Sequence, residues 1–555
     1  MKRLRNFKFI LAAGLLLGSQ SCKDLLVETP ISQVSSAYLD TPAGFESAIR
    51  AVYTSLRAYY GRETTPTLGV FGTDTYTMGA DGSYKFVNQY TSQLDGRLDM
   101  TRNLWNEFYV AINNANAVIN RADKIAGIDP TIKKRRVAEV KFLRAHHYFL
   151  LVQIFGPVAL VLEENTEAKK EFTRAPVKDV YAAIIADLES ALTDIGTPTS
   201  DYGLVTKGAV EHLLARVYLT KATDKDAAAA GDFVKAGTYA QNVIKNYSYK
   251  LLPDFAKVFE QGGGEINDEV IFACQYTSDP LTNGPGNQWH LYYGMEYDTQ
   301  PGMQRDVVNG RPFKRFRPTD YMLNVVFAIK DRVNDSRYKK TFKDTWLSNR
   351  PGTYNAAAVL DPSKKTLTFA AGDTAIFIPG VEWTVAERAA KKYSVLVPSF
   401  YKPNLFPTLQ KFFDPLRPDR TYEQGSRDVL VFRLAETQLI AAEALLKQGK
   451  AAEALPFINA VRRRAAWPGK EAAMTLTVDQ LSMETIYEER ERELAGETLR
   501  WYDLKRWGIL VERVKKYNPD AAPNIKDFHL LRPIPQDQID RTKNGKDAFP
   551  QNPGY

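Results

Sequence analysis

Four aromatic residues with polar neighbours crowd into one short stretch of this 555-residue chain. Trp289, Tyr292, Tyr293 and Tyr297 follow Gly284-Pro285-Gly286, and His290, Asp298 and Arg305 lie among or just after them. Such a set has the chemistry of carbohydrate recognition. A sugar ring offers a flat face of C–H bonds that packs on an aromatic ring, while its hydroxyls need carboxylate, amide, guanidinium or imidazole partners. The spacing 289, 292, 293, 297 also fits one face of a helix, which would bury the rings as core. Asp74 and Tyr76, in Gly72-Thr73-Asp74-Thr75-Tyr76, form a second candidate patch, with a solvated turn as the plainer reading. Trp105 opens a helical pattern and is either core or a ring at a ligand-facing rim.

Signals for catalysis are weak by comparison. His146 and His147 are adjacent, so on a helix they do not share a face. Only five histidines occur, none in a His-Glu-x-x-His arrangement, and no metal ligand is assigned. There is no Gly-x-Ser-x-Gly elbow, and Gly262-Gly263-Gly264 lacks the Gly-Lys-Ser/Thr of a phosphate loop. Carboxylates abundant enough to cleave a glycoside are present, but no pair stands out. No catalytic residue or cofactor is assigned from these residues, and a lipid-anchored glycoside hydrolase stays as an alternative to a binder.

The elements that must position these residues begin after a leader. Residues 1–21 carry a basic start (Lys2, Arg3, Arg5, Lys8), an apolar run from Phe9 to Leu17, then Gly18-Ser19-Gln20-Ser21 and Cys22. The run is far short of the roughly 20 residues that span a bilayer. This is the grammar of a bacterial secretory signal ending at a lipidation site on Cys22, although Ser19 stands where an aliphatic residue is usual; the alternative is plain cleavage near Ser21. Without the leader, 69 Lys and Arg face 65 Asp and Glu. That balance is too mild for a nucleic-acid partner. With Cys22 acylated, Cys274 is left alone in Val270-Ile271-Phe272-Ala273-Cys274, which reads as a buried strand with a structural thiol.

Helical periodicity covers Gly44 to Tyr60, Trp105 to Ala126, Lys133 to Phe155, Val177 to Leu192, Thr206 to Thr223 and Phe233 to Tyr247, and resumes from Val429 to Gly508. Small residues at Ala442, Ala444, Gly449 and Ala454, and at Ala215, Ala236 and Ala240, suit close helical hairpins of the tetratricopeptide type. Residues 61–100 are polar and glycine-rich. Residues 253–425 are irregular, with long loops and short strands such as Ala375-Ile376-Phe377-Ile378, and 519–555 form a proline-rich, loop-like tail. The run Glu489-Arg490-Glu491-Arg492-Glu493-Leu494 is expected to be a packed unit in which Arg490 or Arg500 pairs with Glu493 or Asp503.

Several segments together resemble the SusD/RagB family of outer-membrane nutrient-binding lipoproteins. They are Cys22-Lys23-Asp24-Leu25-Leu26, Phe142-Leu143-Arg144-Ala145-His146-His147-Tyr148-Phe149 through Phe155-Gly156-Pro157-Val158, and Asp335-Ser336-Arg337-Tyr338. Phe432-Arg433-Leu434-Ala435-Glu436 and the Glu489–Leu494 run with Arg500-Trp501-Tyr502-Asp503-Leu504 follow, then Arg532-Pro533-Ile534-Pro535 and Gln551-Asn552-Pro553-Gly554-Tyr555. The resemblance implies a mostly α, SusD-like fold in one domain over 22–555. Its helical scaffold would cover 43–250 and 429–515, with ligand loops over 253–425. It further implies a cell-surface lipoprotein of the outer membrane that binds a glycan, or in some members a peptide, and passes it to a SusC-like TonB-dependent transporter.

Overall fold

The computed structural model describes residues 36–196, 201–355, 361 and 363–555. The leader, Cys22 and the tether after it lie outside the described residues. Long helices form the body: α1 (Pro42–Thr54), α2 (Asp99–Arg121), α3 (Pro130–Phe155), α4 (Val177–Asp194), α5 (Lys207–Lys221), α6 (Asp232–Asn246), α7 (Leu434–Lys447), α8 (Ala451–Ala465) and α9 (Met483–Leu494). Each of α2 to α7 packs on the next, so the hairpins stack in a row, α9 packs on α7, and α7 docks directly on α6 across the long excursion of residues 247–433.

Local chemistry sets the helix ends. Thr41 caps α1 by accepting from the Gly44 amide, with Pro42 at the first helical position. Asp129 caps α3 in the same way before Pro130, three residues earlier than periodicity alone suggests. α3 ends at Gly156, whose φ of 74° is a left-handed conformation that other residues resist. Between α7 and α8 the alanines expected at the hairpin contact, Ala442, Ala444 and Ala454, are wholly buried.

The excursion carries short strands. β1 (Tyr76–Met78) pairs antiparallel with β3 (Phe316–Pro318), bringing residues 61–100 onto the excursion. β2 (Val270–Cys274) pairs antiparallel with β7 (Val429–Arg433), so the excursion leaves and rejoins the helical row as neighbouring strands. Helix therefore resumes at Leu434, not Val429, because Val429 to Arg433 is a β-branched and aromatic run with a strand partner. A three-stranded sheet, β4 (Thr345–Leu347), β5 (Thr374–Phe377) and β6 (Ser394–Val395), has β5 in the middle. It covers a separate small core around Tyr297, Trp346 and Phe406.

Two regions expected to be loop-like are more ordered. Residues 61–100 contain helices Thr64–Gly69 and Lys85–Gln89 besides β1. The tail is braced: Arg532 is wholly buried between the rings of Tyr90 and Trp501, and its amide donates to the Ile154 carbonyl at the end of α3.

The Glu-Arg-Glu-Arg-Glu run on α9 is a buried junction. Arg337 donates to Asp335 and Glu493 and lies 2.8 Å from Glu489. Arg433 on β7 reaches Glu269, Glu493 and Glu497, and Arg464 on α8 reaches Glu269 and Glu493. Arg490 pairs with Asp503 at 2.8 Å, as expected. Arg500 pairs with neither Glu493 nor Asp503; it holds Asp74. Removing one member of such a pair strands a buried charge, at a cost of about 3–5 kcal/mol.

Candidate functional site

A cleft of about 970 Å³ lies between the N-terminal half of α2, the segment 54–64 and the loop 281–292. Its floor and walls follow from the packing just described. One stripe of α2, with Trp105, Phe108 and Ile112, is buried in the core. The opposite stripe, carrying Asn103, Asn106, Glu107 and Asn114, faces the cleft. Across from it stand Tyr84 and Tyr292.

Tyr292 is held rigidly. Its hydroxyl donates to Gln288 Oε1 at 2.9 Å, and its ring packs against Phe313 and Phe316 with the Arg315 guanidinium 5.3 Å from its centroid. The Tyr84 hydroxyl donates to Asp99 at 3.2 Å, and partial burial together with that carboxylate pushes its pKa upward. Both phenols are therefore neutral donors near pH 7. Glu63 is ion-paired with Arg315, whereas Glu107 is exposed. Segment 61–64 is pinned to the opposite loop: the Gln288 amide donates to the Gly61 carbonyl, and Trp289 Nε1 donates to the Arg62 carbonyl at 3.1 Å. The cleft thus combines the partly exposed Tyr84 ring and the buried Tyr292 behind it with amide, carboxylate and guanidinium groups on preformed walls, the composition of a binding site. None of the five histidines lines it.

Of the residues expected to bind ligand, only Tyr292 reaches this cleft. Trp289 is 4% exposed and packs edge-on against Phe412; its role is to hold Arg62 from behind. Tyr293 and Tyr76 are core neighbours at 5.6 Å, and Tyr297 stacks on Trp346 in the small core. His290 is buried against the Glu423 carbonyl, where desolvation lowers its pKa to about 4 and keeps it neutral. Trp105 is core, with its indole donating to Gln538. Asp74 is wholly buried between Arg500 and Arg513, so the solvated turn is corrected as well as the ligand role. Arg305 is partly exposed and bonded to Asp298, away from the cleft. The helical-face reading of 289 to 297 is right in its consequence, burial, although the helix itself spans only Trp289–Tyr292.

The cleft residues that sequence reasoning passed over had a signal. Asn106 and Glu107 follow Asn103 by three and four positions and precede Asn114 by eight and seven, the spacing of a polar stripe opposite the apolar one. Tyr84 had none, since only the fold brings it opposite α2.

Comparison with known proteins agrees with the architecture. Residues 268–555 match the model of the SusD family, and residues 27–219 match a model described as starch-binding, associating with outer membrane. SusD-like protein P2 of Formosa agariphila is 28% identical over 561 residues, covering 98% of each chain. Starch-binding protein SusD of Bacteroides thetaiotaomicron is 24% identical over 450 residues, covering 78% of this chain and 75% of that one. Among solved structures, a laminarin binding SusD-like protein superposes with a TM-score of 0.68 at 22% identity, over 93% of this chain and all of that one. B. fragilis NanU does so with 0.69 at 19%, over 95% and 99%. No helix among the described residues is long and apolar enough to cross a membrane. With the SusD model matched over more than half its length, and with the stacked helical hairpins and excursion set out above, the chain belongs to the SusD family.

Proposed function

We propose that this protein is a glycan-binding lipoprotein of the outer-membrane surface that captures an oligosaccharide in the α2 cleft and delivers it to a SusC-like TonB-dependent transporter. The observation that carries the reading is the cleft itself. Half-buried Tyr84 offers a face for sugar C–H surfaces, the buried Tyr292 backs the opening, and Asn103, Asn106, Glu107 and Gln288 offer hydroxyl partners within it. A laminarin-binding structural neighbour and a starch-binding relative support the class of ligand. The protein acts by holding and releasing, without cleaving: of the two carboxylates in the cleft, Glu63 is claimed by Arg315.

Attachment through acylated Cys22, outside the described residues, would keep the folded body in water beside the membrane. Titration of the purified protein with a panel of glycan and peptide oligomers tests the ligand class. Saturable binding of a glycan, lost when Tyr84 and Asn106 are replaced, is the expected result; binding of peptides alone replaces the glycan reading with a peptide one. Gentle extraction from native membranes, followed by mass spectrometry, is expected to recover a TonB-dependent transporter with the protein and diacylglyceryl on Cys22. A lone, unlipidated monomer refutes delivery and anchoring.

A further inference from the structure

The cleft carries an unbalanced positive charge on one wall. Arg57 spends its guanidinium on neutral acceptors, the Gln275 carbonyl at 2.9 Å and the Thr282 carbonyl at 2.7 Å, and lies over the Tyr276 ring. Arg62 has its Nη1 buried without any hydrogen-bond partner. Neither arginine stands in an ion pair among the described residues. Arg315 and Glu63 cancel one another, and Asp428 lies behind Arg57, so of the carboxylates lining the cleft Glu107, on the facing helix, is the one left to face Arg62. Arg62 is partly exposed to the cleft, and a buried guanidinium nitrogen without an acceptor is costly, so an acceptor supplied by a ligand on Arg62 would be favourable. The backbone at Arg62 is also held in place. Its carbonyl accepts from the Trp289 indole and the neighbouring Gly61 carbonyl from the Gln288 amide, so little backbone ordering is needed when a ligand arrives.

We infer that the cleft is built for an anionic glycan, one whose sugar units carry carboxylate or sulfate groups, with Arg62 as the residue that sets this preference and Arg57 reinforcing it. The inference rests on the glycan reading given above. The sugar ring would lie against Tyr84 while its acidic substituent turns toward the Arg62 wall and away from Glu107.

The test is calorimetric titration of the full-length protein with galacturonate oligomers, sulfated galactan oligomers and neutral glucan oligomers of equal length. At least one acidic class is expected to bind roughly tenfold or more tightly than the neutral one, the scale of a charge-assisted contact. Which acidic class does so tells carboxylate from sulfate. The preference should shrink in about 0.5 M salt, where exposed charges are screened. Arg62→Gln should remove the preference, while Arg62→Lys, which keeps the charge, should retain most of it. Neutral oligomers binding as well as both acidic classes would overturn the anionic assignment and leave glycan binding standing. An undiminished preference in Arg62→Gln would overturn the role of Arg62. Failure of every glycan to bind would remove this inference together with the reading beneath it.

Discussion

Arg500 donates two parallel hydrogen bonds of 2.8 and 2.7 Å to Asp74, 426 residues away in the chain, in a pair wholly removed from water. Arg513 adds a third donor to the same carboxylate at 3.1 Å. The pair joins the 61–100 segment, whose far end lines the cleft, to the end of the helical row. It is a fastener between the part of the fold that meets ligand and the part that supports it.

Arg500→Ala is accordingly expected to destabilise the protein by about 3–5 kcal/mol, since Asp74 would remain buried with one of its two arginines gone. Asp74→Asn should cost a similar amount. Urea unfolding followed by tryptophan fluorescence measures both. A double mutant losing much less than the sum of the single losses would confirm that the two residues act on one another.

Glu491 gives a pH dependence of definite sign. Burial, with the Asp74 charge beside it, raises its pKa from an ordinary 4.5 to about 7, even though Arg500 lies 3.7 Å away, because Asp74 already occupies that arginine. A carboxyl whose folded pKa lies above its unfolded one binds its proton more tightly when folded. Its favourable contribution is complete below pH 4.5 and is lost as pH rises to 7. Glu491→Gln should therefore match the native protein near pH 4 and exceed it in stability at pH 8, by on the order of 1–3 kcal/mol. Melting curves of the two proteins across that range check the crossing.

Acid works in the opposite direction at Glu493. It is buried, but Arg464, Arg433 and Arg337 surround it and overcome desolvation, holding its pKa down to about 2. Its stabilising contribution is present above the unfolded value of 4.5 and is lost as pH falls toward 2. Glu493→Gln should unfold far more readily than the native protein at pH 7, with the gap narrowing as pH drops below about 4.

Local sequence carried a good deal of this. The apolar period of residues 105–119 predicts the buried stripe of α2, and Val270 to Cys274 reads as the strand it is. The pairing of Arg490 with Asp503, 13 residues apart, is within reach of a local argument. Asp74 with Arg500 is not, because nothing in the neighbourhood of either residue specifies a partner more than 400 positions away. The cleft was missed for the same reason. It is an opening between segments 54–64, 84–114 and 281–292; of the conspicuous aromatics of 289–297, Trp289 and Tyr292 build its back wall, while Tyr293 and Tyr297 fill the cores. Large rings are drawn inward wherever a core can take them, so their count alone does not locate a sugar site.

Cys274 should be chemically silent in the folded protein. Burial pushes its thiol up to about 12, and it is 3% exposed within β2. Thiolate is the reactive form, so at pH 8 very little is present and none of it meets solvent. Iodoacetamide is expected to leave Cys274 unmodified under native conditions and to alkylate it fully in guanidinium, as read by peptide mass spectrometry.

Trp289 and Tyr84 make the sharpest contrast between support and contact. Trp289 is packed against Phe412 and bonded to the Arg62 carbonyl, so Trp289→Ala opens a cavity behind the cleft and should cost about 3–5 kcal/mol of stability. Its effect on affinity would be secondary, through a displaced Arg62. Tyr84 is half-buried, and its hydroxyl meets only Asp99, so Tyr84→Ala should change stability little. It removes a face that a sugar would cover, and affinity should fall roughly five- to tenfold. Melting temperature and calorimetric affinity, measured on both variants with the same oligosaccharide, separate the two roles. The reverse pattern, a stable Trp289→Ala that cannot bind and a Tyr84→Ala that binds normally, would move the site out of the α2 cleft.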